Sequence, residues 1–352
     1  MLMKKTLLIL ALLVAFLFTA FQMNKRQIAE RAFDKALGDR VVARINPERQ
    51  DGIHVFVCGA GAPMPTLNAG PCTAVIAGNR AFIFDTGSGS PRKLGLTSFP
   101  MDSVDGIFLT HLHSDHIDSL GEMLLLAWIT GTRDEPLPVY GPAGTSEVVN
   151  AFNAVYRIDS GFRVEHHGTE VANPSGHGGA PTELQPGVVY NEGGVKITAV
   201  TVPHEPVEPA FGYRIDYKDR SVTISGDTSY SEDFANFSKG TDLIVHEGLQ
   251  PKMILKMRDV MKEHDLNAQA KIMDDILSYH TSPEDAARVA QLAGADELLI
   301  THIIPPLPVK LLYPLFLGDA EKNFDGQIHL AEDGMTFSLP SGSDAIIKNR
   351  EF

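Results

Sequence analysis

Thr110-His111-Leu112-His113-Ser114-Asp115-His116 constrains this chain more than any other stretch. It follows an apolar, strand-like run, Gly106-Ile107-Phe108-Leu109, and holds three imidazoles and one carboxylate. A loop at a strand end can turn such side chains toward one point. Imidazole nitrogens and carboxylate oxygens at this spacing are the donors that a borderline cation such as zinc accepts. The competing reading is a polar turn carrying solvated histidines.

Three later segments place further donors at or near the ends of β-like runs. They are Val202-Pro203-His204 (followed by Phe211-Gly212-Tyr213-Arg214), Val222-Thr223-Ile224-Ser225-Gly226-Asp227-Thr228, and Leu298-Leu299-Ile300-Thr301-His302. Taken with the HxHxDH run, they resemble the signature of the metallo-β-lactamase superfamily. The resemblance implies an α+β fold, a four-layer αββα sandwich with a two-metal site at one edge of its sheets. His111, His113 and His204 would then hold one divalent ion. Asp115, His116 and His302 would hold the second, and Asp227 would bridge the two. Zinc is the expected metal for this donor set, and manganese or iron can occupy similar sites.

Two more segments narrow the branch. Ile244-Val245-His246-Glu247-Gly248 and Tyr279-His280-Thr281-Ser282-Pro283-Glu284-Asp285 resemble the His-Glu and His-Ser/Thr motifs of the ribonuclease Z and arylsulfatase-like branch. By that resemblance Glu247 and His280 pair beside the metals, His280 protonates the leaving group, and Asp115 orients the attacking water while ligating. His280 also reads simply as the residue before a helix capped by Thr281 or Ser282. Both readings can hold, because a cap fixes the loop that aims the ring. Ala81-Phe82-Ile83-Phe84-Asp85-Thr86-Gly87-Ser88-Gly89 resembles the family's strand-Asp-x-Gly element. There Asp85 would accept a hydrogen bond from a ligand histidine and fix its tautomer. A phosphate cradle at Gly87 and Gly89 is a poor competitor, since no Lys-Ser/Thr follows.

The resemblance covers about Gly52 to Leu339, so residues 51–340 are expected as one catalytic domain and 341–352 as a C-terminal tail. Residues 1–23 differ: Lys4-Lys5 precedes an uncharged apolar run from Leu7 to Phe21. A signal-anchor is expected over a removed signal peptide, because cleavage after Ala20 would leave Phe18 where a small residue is wanted. Residues 24–50 are read as a linker, with an amphipathic helix from Gln27 to Leu37 stopped by Gly38. The expected location is therefore exported, either inner-membrane-anchored or periplasmic, with membrane contact through the N-terminal segment. Cys58 and Cys72 are expected as buried free thiols, with a disulfide the alternative in an exported protein.

Charge bears on the substrate. The chain carries −14 overall, and residues 51–352 alone carry −19. A domain this acidic repels polyanions. Ribonuclease Z enzymes grip tRNA with a long basic arm between the Gly-Tyr-Arg and Ser-Gly-Asp segments, and here only ten residues separate Arg214 from Ser225. The expectation is thus a binuclear-metal hydrolase of a small phosphodiester or aryl sulfate ester, with a small-molecule ester rather than nucleic acid as the expected partner. The alternatives are a ribonuclease Z-like tRNA 3′-processing endonuclease, a lactonase, and a non-catalytic metal-binding membrane protein. Asp159–Gly187, with His166, His167 and His177, reads as an inserted surface loop, or else as a pocket loop or third metal site. Ile303–Leu317 is apolar for a loop and could pack on the core, roof the site or touch a membrane. Met253, Met257 and Met261 form a helical stripe of the kind that usually packs in a core, and adaptable methionines here could instead line an apolar pocket.

Overall fold

The structure is a computed structural model and describes residues 2–45 and 49–352. The chain divides into two units, Met1–Arg49 and Gln50–Phe352. The first contains one helix, Leu2–Ile45. Its stretch Lys5–Gly38 is long and apolar enough to cross a membrane. Gly38 does not stop this helix. A helical glycine costs about 1 kcal/mol relative to alanine, too little to end a helix whose neighbours all favour it. Residues 46–48 of the expected linker lie outside the described residues.

In the second unit the chain lays down β1 (Gly52–Gly59), β2 (Cys72–Ala77), β3 (Arg80–Phe84), β4 (Gly106–Phe108), β5 (Leu137–Gly141) and β6 (Gly179–Glu183) in sequential order. A second sheet follows, from β7 (Gly187–Glu192), β8 (Val195–Val202), β9 (Ala210–Tyr217) and β10 (Arg220–Ile224) to β11 (Leu243–Leu249), β12 (Glu297–Ile304) and β13 (Gln327–Leu330), again in sequential order. Then β14 (Met335–Pro340) returns to pair with β1, and β15 (Ile347–Arg350) adds an outer edge. The expected C-terminal tail is therefore partly a strand. Short strand segments at a chain end carry little apolar signal and gain order mainly from the neighbour they pair with.

Period-two alternation builds the layers. Along β1, Ile53, Val55 and Val57 face the other sheet, while Phe56 and Cys58 face outward. The inter-sheet core joins Phe82, Phe84 and Phe108 to Tyr213, Ile215, Val245 and Leu299. Helix Leu120–Gly131 covers the outer face of the first sheet through Leu120, Met123 and Leu124. Helix Pro283–Ala293 covers the second through Ala286, Val289 and Ala290. The αββα sandwich is thus formed as expected.

Two expectations fail for local reasons. Residues 159–167 are not loop, because helix Thr145–His167 runs through them, supported by an Asp159–Arg163 pair at 2.6 Å and ended by Gly168 at φ 73°. Cys58 and Cys72 are bonded, not free. The β1–β2 register shifts between Val57 and Gly59, which brings the two Cα atoms to 5.0 Å. Replacing both by serine is expected to destabilise the domain by about 3 kcal/mol, read as a lower urea midpoint. An unchanged midpoint would show that the bond constrains nothing.

Candidate metal centre

Each donor sits where a strand ends or a loop turns. His111, His113, Asp115 and His116 follow β4, His204 follows β8, Asp227 follows β10, and His302 lies near the end of β12. All seven converge. His111, His113, His204 and Asp227 form one cluster, and Asp115, His116 and His302 form another, each with its donor atoms within 4.8 Å of one another. Asp227 touches both: its Oδ2 lies 3.8 Å from His111 Nε2, 3.3 Å from His116 Nε2 and 3.5 Å from His302 Nε2. Asp115 Oδ2 lies 3.2 Å from His302 Nε2 and 3.6 Å from His116 Nε2.

The neighbours fix which ring nitrogen faces inward. Asp85 Oδ2 accepts from His116 Nδ1–H at 2.8 Å, which leaves His116 Nε2 pointing inward. Thr110 Oγ1 donates to Asp85 Oδ2 at 2.8 Å and so can only accept from His111 Nδ1–H, 3.1 Å away. The Tyr279 carbonyl accepts from His204 Nδ1–H at 3.0 Å. These contacts hold the rings with lone pairs aimed at one another: His111 Nε2 is 2.9 Å and His204 Nε2 is 3.3 Å from His113 Nδ1. Asp85 matches its sequence assignment. Thr110 and the Tyr279 carbonyl were not legible as orienting groups, the latter because a backbone oxygen carries no residue-type signal.

Such convergence is unfavourable without a cation. His116 Nε2 and Asp227 Oδ1 are buried without a hydrogen-bond partner. The electrostatics point the same way. Burial opposes the charged form of His116, but Asp227 and Asp85 outweigh it and hold the imidazole well above its usual pKa. Burial, then the charge of His116, holds His111 well below its own. Burial also pushes the Asp227 carboxyl up, but His302 and His116 override it and hold the group well below the carboxylate range. The residues fit a pair of divalent cations.

Two residues here hold strained backbone. Asp85 at φ 59° and His302 at φ 45° both occupy the left-handed region, which is uncommon for residues other than glycine. The Asp85→Asn variant tolerates that conformation but loses the charge. Its zinc affinity is expected to fall about tenfold in competition with a chromophoric chelator. Unchanged affinity would remove Asp85 from the orienting role.

Beside the cluster, His280 Nδ1 lies 3.2 Å from Glu247 Oε1 and 3.9 Å from Asp227 Oδ2. Glu247 is buried on β11, and its Oε1 accepts from Thr281 N at 2.7 Å. Ser282 caps the following helix by accepting from Asp285 N at 3.0 Å, so cap and aimed imidazole coexist. Burial lowers His280, and the Glu247 carboxylate outweighs it, so its pKa is raised. The histidines of the expected insertion stay away: His166 and His167 are exposed at the end of helix Thr145–His167, and the His177 ring lies 5.1 Å from that of Trp128. Among the described residues none of the three joins a metal-binding group.

Residues 80–303 match the family model described as a β-lactamase superfamily domain. The chain is 34% identical over 257 residues to "Ribonuclease Z" of Mycobacterium sp. (strain KMS), covering 72% of this chain and 85% of that protein. It is 34% identical over 284 residues to "Ribonuclease Z" of Mycobacterium avium (strain 104), covering 80% and 96%. Among solved structures it is similar to the metallo-β-lactamase fold protein YhfI from Bacillus subtilis, with TM-score 0.61, 22% identity, and coverage of 82% and 100%. It is also similar to human tRNase Z, short form, with TM-score 0.54, 22% identity, and coverage of 82% and 99%.

These relatives correct the reading of partners. The expectation of a small ester rather than a nucleic acid does not stand against relatives named for cleaving RNA. That expectation rested on the short Arg214–Ser225 link and on net charge, and the charge acts through a field screened beyond about 8 Å at physiological salt and does not describe the site itself. The chain belongs to the metallo-β-lactamase superfamily and to its ribonuclease Z branch.

Proposed function

We propose that this chain is a ribonuclease Z-like endonuclease that hydrolyses an RNA phosphodiester at the 3′ side of a precursor tRNA. The observation that carries the reading is the coexistence of all seven donor residues with the His280–Glu247 pair, in a chain 34% identical to proteins named ribonuclease Z.

His111, His113 and His204 would hold one divalent ion, Asp115, His116 and His302 the other, and Asp227 would contact both. Zinc is the metal proposed. Bound there, two such ions supply an acidified water and stabilise negative charge developing on a phosphate. The chain's own residues do the rest. Asp85, Thr110 and the Tyr279 carbonyl hold the ligand rings in one tautomer. Asp115 turns its carboxylate into the site and can orient a water. The Glu247 carboxylate favours the protonated form of His280, which would deliver its proton to the departing ribose oxygen. A purely metal-storing protein has no use for a buried carboxylate–imidazole pair beside its ligands.

The basic arm is absent in the structure as in the sequence. β9 and β10 are joined by a tight turn at Lys218-Asp219, with Tyr217 paired to Arg220. Few phosphates can then be neutralised away from the cut. Full-length, zinc-loaded protein is expected to cleave a precursor tRNA with log(kcat/KM) falling against log[salt] at a slope shallower than about −3. No cleavage at any salt concentration would refute the proposed activity. A steep slope would show an extended basic grip and refute the armless binding mode.

A further inference from the structure

The proton on His280 has a defined destination in the proposed reaction. Hydrolysis that leaves a 3′-hydroxyl on the tRNA body expels the O3′ of the last nucleotide kept. The ribose that His280 serves therefore belongs to the nucleotide 5′ to the cut. Its 2′-hydroxyl is on the neighbouring carbon, beside the atom that takes the proton. A protein group next to His280 that addresses this hydroxyl would tell RNA from DNA at the cut.

Tyr279 is placed for that. It precedes His280, and its ring centroid lies 4.9 Å from that of His280 and 5.2 Å from that of His204. The ring also packs against the apolar cluster that includes Leu249, Met273 and Ile276. Met257 and Met261 pack on the same cluster and line a cavity of about 950 Å³, so the methionine stripe is partly core and partly wall. Two imidazoles and an apolar cluster thus brace the tyrosine ring. Its hydroxyl is left over. Tyr213, Tyr217 and Tyr313 donate theirs to the Leu109 carbonyl, Asp51 and Glu332. The Tyr279 hydroxyl has no partner among the described residues, and in this half-buried residue it is not sealed from solvent. A phenol at neutral pH is a protonated donor. Held on a braced ring, it loses little freedom when an acceptor arrives.

We infer that the Tyr279 hydroxyl donates a hydrogen bond to the 2′-oxygen of the nucleotide 5′ to the cut and so selects ribose over deoxyribose there. The inference rests on the RNA reading above. Two roles of Tyr279 separate cleanly. Its backbone carbonyl holds His204, and its side-chain hydroxyl meets the substrate. Tyr279→Phe removes the hydroxyl and keeps both the carbonyl and the ring.

The test compares full-length, zinc-loaded wild type and Tyr279→Phe, with rates referred to bound zinc. One substrate is a precursor tRNA, and the other is the same RNA with a single 2′-deoxynucleotide immediately 5′ to the cut. On the all-ribose substrate kcat/KM is expected to fall about fivefold in the variant, the size of one neutral hydrogen bond. The deoxynucleotide should cost the wild type about the same. Variant and deoxy substrate together should lose no more than either alone, because both changes remove one contact. A deoxynucleotide placed farther upstream should leave the variant's loss unchanged. A combined loss near the product of the two, about 25-fold, would overturn the inference while leaving the cleavage activity standing. So would a loss from only one change, or from neither. A wild type that fails to cut the all-ribose substrate would refute the RNA reading itself, and this inference would fall with it.

Discussion

Replacing His280 by alanine is expected to lower turnover by between about 10² and 10⁴-fold while leaving the metal content unchanged. The geometry separates the two effects. His280 Nδ1 lies 3.2 Å from Glu247 and 3.9 Å from Asp227; the ring also forms a third donor group with Asp227 and His302, but it is outside the seven ligands assigned from the sequence and its Nδ1 faces Glu247. Its partner Glu247 is buried and anchored by Thr281 N, so the pair is held before substrate arrives. The alanine variant should therefore keep two zinc ions by elemental analysis and keep KM within a few-fold. If the loss is mainly proton delivery, a substrate with a p-nitrophenolate leaving group, which departs without help, should suffer far less than RNA. An equal loss on both substrates would place His280 in binding or metal retention instead.

Asp227→Asn should have the largest effect on the metals themselves. Its carboxylate lies within 4 Å of His111, His116 and His302 and so touches both donor clusters. Asparagine keeps the volume and one oxygen but removes the charge that offsets two cations. Zinc affinity is expected to drop more than about 100-fold, beyond the loss from a supporting residue such as Asp85. Turnover should fall by about 10³-fold or more, since several kcal/mol of charge stabilisation go with the metals. Chelation of the wild type should reproduce the loss and added zinc should reverse it, whereas the variant should respond only to high zinc. Full activity of the variant at stoichiometric zinc would contradict the bridging role.

Much of the site was legible because its donors lie at strand ends in the compact spacings of short loops. HxHxDH, Gly226-Asp227, Thr301-His302 and the paired Glu247 and His280 each carry residue-type information. The sheets were legible where alternation was strong, as in Ile53–Cys58 and Ala81–Phe84. Features set by tertiary pairing were not. The Cys58–Cys72 bond depends on a bulge that shifts register by a residue. The strand Ile347–Arg350 is exposed throughout and is ordered by pairing with β14. Gly38 marks a helix end only when the backbone turns left-handed there. Net charge misled most, because −19 spread over a surface says little about a cleft lined by seven converging His and Asp donors.

The most direct measurement is the mapping of product ends from a precursor tRNA incubated with full-length, zinc-loaded protein. One cut is expected, releasing the 3′ trailer and leaving a 3′-hydroxyl on the tRNA body, and His280→Ala should abolish it. Intact RNA, with two zinc ions bound and the His280–Glu247 pair in place, would contradict the assignment to RNA.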